Sequence, residues 1–122
     1  MTELFSLEQQ SPVKRRKVTP ESAVLAEVLQ TLHASEKVAW ARRMNTGAAM
    51  VGNRFVRFGF VGCSDILGQL RDGRLLAVEC KSKRGRLEPE QEQFLSLVQK
   101  AGGVAIVARN CNDVLNALNE RK

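Results

Sequence analysis

Gly73-Arg74-Leu75-Leu76-Ala77-Val78-Glu79-Cys80-Lys81 is apolar from Leu75 to Val78 and then sets an acid and a base two positions apart. Residues two apart on a strand share a face, so Glu79 and Lys81 point one way while Cys80 points the other, into the packed side. One end of this strand belongs to a core and the other to a polar site. Working back towards the N-terminus, Asp72-Gly73 is a turn signal. The run Asp65-Ile66-Leu67-Gly68-Gln69-Leu70-Arg71 is then the partner strand of a hairpin.

Register decides whether Asp65 joins the other two charges. A two-residue loop made of Asp72-Gly73 pairs Arg71 with Arg74 and sets Asp65 opposite Cys80, on the wrong face. A three-residue loop, Arg71-Asp72-Gly73 with Gly73 left-handed in a bulge, pairs Leu70 with Arg74 and sets Asp65 opposite Glu79. The three-residue loop is the expectation, because only it makes Asp65, Glu79 and Lys81 converge.

Two converging carboxylates are hard oxygen ligands of the kind Mg²⁺ or Mn²⁺ prefers. A lysine beside them can orient or deprotonate a water and offset the charge that develops on a phosphorane. The reaction class such a set suits is phosphodiester hydrolysis. An isolated Glu-x-Lys at a strand end is more often a surface ion pair, so the rest of the chain has to weigh in.

That wider pattern closely resembles the VRR-NUC family, the virus-type replication-repair nucleases of the PD-(D/E)XK superfamily. The resemblance runs from Glu21, Val24, Val28 and Leu32 through Trp40–Ala48, Arg54–Gly59 and Gly62-Cys63-Ser64-Asp65-Ile66-Leu67-Gly68. It continues through Gly73–Lys81, Gln91 with Phe94-Leu95, and Gly102-Gly103-Val104-Ala105. Two departures are Ser64, where the superfamily signature has proline, and Cys80, where an aliphatic residue is usual. Neither removes an acid or the lysine. The resemblance implies an α/β, restriction-endonuclease-like core with a mixed central sheet flanked by helices. It also implies catalytic roles for Glu21, Asp65, Glu79, Lys81 and Gln91. The metal ligands would be Asp65, Glu79 and the backbone carbonyl of Cys80. Glu21 is a candidate for a second metal or for positioning the metal-bound water, and Gln91 for orienting Lys81 or the attacking water.

Composition agrees with one catalytic domain: 122 residues are enough for a single core. No stretch of about 18 apolar residues could span a membrane, and the N-terminus lacks the order of a secretory signal. An intracellular site, cytoplasm or nucleoid, is therefore expected. Cys63, Cys80 and Cys111 are scattered and the chain has one histidine, which argues against zinc and against a disulfide framework. The formal charge of +6 suits a polyanionic partner.

Residues 1–18 read as a flexible basic arm ending in Lys14-Arg15-Arg16-Lys17, with 19–122 as the single nuclease-like domain. The cluster fits phosphate contact better than a nuclear address, for which four basic residues are a weak signal. Leu4, Phe5 and Leu7 are candidates to dock on a neighbouring subunit. Thr19 and Pro20 open a helix that should end near His33. The alternation in Lys37–Met44 predicts a strand, then a turn at Asn45-Thr46-Gly47. Trp40 is read as core, since aromatics are only 5% of the chain and base-stacking residues come in groups. Arg42, Arg43, Arg54 and Arg57, with Lys83, Arg84 and Arg86, outline a DNA-binding track. A helix from Leu87-Glu88-Pro89, a buried strand at Val104–Ala108 and a helix opened by Asn112 complete the order α, β, β, β, β, α, β, α.

The expected function is a divalent-metal-dependent, structure-selective DNA endonuclease, acting as a homodimer on four-way (Holliday) junctions. A flap- or nick-directed nuclease and a non-catalytic nucleic-acid-binding module are the alternatives.

Overall fold

The computed structural model describes residues 19–44 and 47–118. The basic arm at 1–18 and Asn45-Thr46 of the expected turn lie outside the described residues. The first helix, α1 (Pro20–Ala34), starts as its sequence requires. The Thr19 hydroxyl accepts from the Ser22 N–H at 3.0 Å, and Pro20 fills the first helical position, where no N–H is needed. Val28 and Leu32 on its inner face are fully buried.

Six strands follow: β1 (Val38–Arg43), β2 (Gly47–Val51), β3 (Arg54–Phe58), β4 (Ile66–Leu70), β5 (Leu75–Cys80) and β6 (Val104–Ala108). Helix α2 (Pro89–Lys100) crosses from β5 to β6, and α3 (Cys111–Ala117) follows β6. The main sheet has the order β1-β4-β5-β6, antiparallel except for the β5–β6 pair. Leu76, Val78 and Cys80 of β5 bury one face of the sheet with Ile66, Ile106 and residues of α1 and α3. Ala77 on the opposite face packs with Leu95 and Val98 of α2. The result is the expected mixed sheet flanked by helices. Each fully buried leucine or isoleucine contributes roughly 1.5–3 kcal/mol. No described helix is long and apolar enough to cross a membrane.

Three expectations need correction. First, α3 is capped by Asn110, whose side chain accepts from the Asp113 N–H at 2.9 Å, and is not opened by Asn112. Second, the β1 alternation is interrupted by an irregularity between Val38 and Trp40, after which Ala41, not Trp40, turns inward. Trp40 is 44% exposed on this edge strand and donates its indole N–H to Gln69 at 3.1 Å, so it is not core. Third, five strands rather than four precede α2. The additional one, β2, pairs with β3 in a separate two-stranded sheet whose Val51↔Arg54 pair closes a two-residue Gly52-Asn53 turn. Gly52 has φ +63°, as such a turn demands.

The antiparallel and parallel pairings gather one set of termini at one end of the main sheet. The start of β4, the ends of β1, β5 and β6, and the first turns of α1 and α2 meet there.

Candidate active site

The β4–β5 hairpin has the three-residue loop. Gln69 pairs with Leu75, Leu67 with Ala77 and Ile66 with Val78. The Leu70 N–H donates to the Arg74 carbonyl at 2.8 Å, and Gly73 has φ +100°. Continuing the register sets Asp65 opposite Glu79. Because Leu70 and Arg74 are a hydrogen-bonded pair, alternation makes Asp65 and Glu79 a non-hydrogen-bonded one, the position at which facing side chains come closest. Beyond Ile66 the ladder ends, and the Asp65 side chain takes over: its Oδ2 accepts from the Cys80 N–H at 2.8 Å. The Glu79 Oε1 in turn accepts from the Asp65 N–H at 3.2 Å.

Glu79 is 1% exposed, an expensive place for an acid. Burial, then the charge of Asp65, push its carboxyl up to about 7, with Lys81 pulling the other way. Lys81 Nζ lies 3.7 Å from Glu79 Oε2 and 3.7 Å from Oε2 of Glu21, which enters from the first turn of α1. Ligand oxygens of Glu21, Asp65 and Glu79 all lie within 4.8 Å of one another. Three crowded carboxylates, one of them buried, fit a hard divalent cation, which would relieve their mutual repulsion.

Gln91 sits at the third position of α2 and uses both ends of its amide. Its Oε1 accepts from the Glu88 N–H at 2.8 Å, and its Nε2 donates to Glu79 Oε2 at 2.7 Å. A backbone N–H can only donate and a carboxylate only accept, so the amide orientation is forced. The helix cap and the contact to the acid therefore coexist in one side chain. Its described partner is Glu79, not Lys81.

The departures from the signature are accommodated locally. The buried Ser64 hydroxyl donates to the Ile66 carbonyl at 2.9 Å. The Cys80 thiol is fully buried in the core on the face opposite Glu79, so it points away from the acids, and burial pushes it up to about 12. The Cys80 N–H points to the β4 edge, and on a strand the carbonyl of the same residue shares that edge, where Asp65 lies. Cys63 is buried beside the acids, and burial raises its thiol as well.

The basic residues distribute around this end of the sheet. Arg43 pairs with Ile66 in the ladder, and the next residue, Met44, donates its N–H to the Asp65 carbonyl at 2.7 Å. Arg42 is half-buried on β1. Lys83, Arg84 and Arg86 are exposed on the loop between Lys81 and α2. Arg54 is exposed at the β2–β3 turn, while the Arg57 side chain lies outside what is described. Arg109 was not singled out by the sequence. Its Nη1 donates to the carbonyls of Ser82 at 2.5 Å and Lys83 at 3.4 Å, tying the basic loop to the end of β6. No spacing signals this contact, which depends on the parallel Cys80↔Ala108 pairing. A cavity of about 530 Å³ lies at the other end of the sheet, between Lys37, Arg71 and Leu118, remote from the acids.

An acid opening one strand, an acid-x-lysine closing its neighbour and a helical glutamate converging on both form an arrangement of the kind that PD-(D/E)XK nucleases use. The sequence model of the VRR-NUC domain matches residues 6–110, and the chain belongs to that family. It is accordingly a nuclease, a hydrolytic enzyme whose substrate is DNA. No curated protein matches the chain.

Proposed function

We infer that the protein is a divalent-metal-dependent endodeoxyribonuclease selective for DNA structure, working as a homodimer on four-way junctions. The observation that carries the catalytic part is the buried Glu79, crowded by Asp65 and Glu21 and bridged by Lys81. An acid held in such surroundings has a function more often than a purely structural reason.

In this reading Asp65, Glu79 and the Cys80 carbonyl hold Mg²⁺ or Mn²⁺, with Glu21 completing the acidic set. When bound, the cation supplies Lewis acidity towards a phosphoryl oxygen and acidifies water. Lys81 orients or deprotonates the attacking water, and its ammonium offsets the charge that builds on the phosphate in the transition state. Gln91 pins one oxygen of Glu79, so the carboxylate does not rotate away during the reaction. Arg43, Lys83, Arg84 and Arg86 draw the phosphate backbone across the cleft, a contact that carries no sequence information. Arg42, Arg54 and Arg57 extend the same track. Recognition then falls to DNA shape. Two sites related by a two-fold axis suit the paired cuts that resolve a junction.

The test is Lys81→Ala. Removing the ammonium should lower metal-dependent cleavage by about 10³-fold or more, with junction binding held within about threefold. Cleavage equal to the parent would sink the mechanism, and binding without any cleavage by the parent would identify a non-catalytic module. Linear duplex, flap and four-way junction compared at one salt concentration would establish the substrate, because binding depends steeply on salt. A preference for flaps would replace junction resolution.

A further inference from the structure

The β2–β3 hairpin is inserted between Met44 and Asp65, so both of its connections lead to the acidic site. Its strands pair with each other and make no extensive contact with any other described element. An isolated two-stranded hairpin is marginal in water, yet this one exposes Met50 at 63%, Val51 at 58% and Phe55 at 64%. Met50 and Phe55 are cross-strand partners, and Val51 faces the opposite side beside Arg54, so both faces of the ribbon's end carry exposed apolar surface, which points to something that covers it.

Charge identifies the occupant. From Val38 to Ser64 the sequence contains no aspartate or glutamate and four cations: Arg42, Arg43, Arg54 and Arg57. A second copy of a chain whose own charge is +6 would bring like charge against this segment, at a cost. DNA brings the complementary charge. The apolar tip narrows the choice further, because an intact duplex presents phosphates and polar base edges, and base faces become available only where stacking is broken. Strands of five residues reach about 17 Å, long enough to enter a groove roughly 8 Å deep.

Resting on the nuclease reading above, we propose that the β2–β3 hairpin selects DNA structure. Met50 and Val51 at its tip, with Phe55, insert against nucleobases unstacked at a branch point, while Arg54 holds an adjacent phosphate. Apolar wedges inserted between base steps are a known use of such side chains.

The experiment uses the full chain in chelator, so that nothing is cleaved, with a four-way junction carrying 2-aminopurine at the branch point and a linear duplex of the same sequence. The parent should raise the 2-aminopurine fluorescence on binding. Met50→Ser with Val51→Ser should abolish most of that rise and cut the preference for junction over duplex about tenfold, leaving duplex affinity within about twofold. Met50→Leu with Val51→Ile should keep both. Arg54→Gln should weaken junction binding more than duplex binding and lower the salt slope for the junction by about one; an equal loss on both would count against the placement of Arg54 at the branch. Unchanged fluorescence and preference in the serine variant would overturn the proposal. A shift of that variant from dimer to monomer mass, with the ratio of affinities unaltered, would also overturn it and assign the tip to self-association. Metal-dependent cleavage without any effect of the hairpin removes this proposal alone. Hairpin-dependent junction binding by a protein that cuts nothing removes the nuclease reading alone.

Discussion

Glu79 is the residue on which the proposed site depends most, because it is a buried acid crowded by two others. Its carboxyl is raised from 4.5 to about 7, so the metal-free fold takes up a proton there at a higher pH than the unfolded chain does. Stability from this group is therefore full below pH 4.5 and is lost as pH rises through about 7. Without metal, Tm should fall by roughly 10 °C between pH 5 and pH 8. A divalent cation reverses the trend, since it binds the carboxylate and competes with the proton. Stabilisation by Mn²⁺ should grow over the same interval, and Glu79→Gln should flatten both curves in a thermal-shift series. A metal effect equal at pH 5 and pH 8 would contradict the assignment. The pairing of Glu79 with Asp65 was legible in the sequence because strand alternation and loop length are countable. Gln91 was legible only as a polar residue on a packing stripe; its forced amide orientation depends on where α2 meets β5. Arg109 was not legible, because its partners lie on a loop 26 and 27 residues earlier in the chain.

At the scale of elements, the two hairpins show what sequence can and cannot specify. The β4–β5 register followed from the charge constellation, whereas the β2 strand was missed even though Gly52-Asn53 is a hairpin turn signal. Its alanine-rich start lacks the alternation that marks a half-buried strand. Trp40 was misplaced because one irregularity in β1 shifts the phase of every later side chain, and composition gives no warning of such a shift. Two glycines turn element geometry into a measurable contrast. Gly62 has φ +86°, and a Cβ there would lie 2.5 Å from the Glu90 carbonyl oxygen, in the first turn of α2 beside Gln91. Gly62→Ala should cost about 2–4 kcal/mol and lower cleavage further by moving the Asp65 loop away from Gln91 and Glu79. Gly73 has φ +100° with open space around it. Gly73→Ala should cost only about 1 kcal/mol and leave cleavage unchanged. Denaturant titration with cleavage rates on both variants separates the cases, and equal behaviour would mean that the Gly62 contact does not position the site.

For the whole molecule, the decisive quantity is the number of active sites that meet one DNA. A domain of 122 residues and 13.5 kDa has one acidic cluster among its described residues. It can therefore cut one strand at a time, and a junction nicked once is not resolved. Two copies on a two-fold axis would place equivalent sites on opposing strands. In the proposed dimer the polyanion would screen the repulsion between two basic copies. Sedimentation should give twice the chain mass, and a supercoiled cruciform plasmid should pass directly to linear product within one binding event. Mixing parent with excess Lys81→Ala chains should convert that product to open circles, because a mixed dimer holds a single competent site. Single-chain mass with unlinked nicks would instead make the enzyme a monomeric nuclease of flaps or nicks. In that case the hairpin and the basic loop of one copy would have to supply all the recognition of the branch.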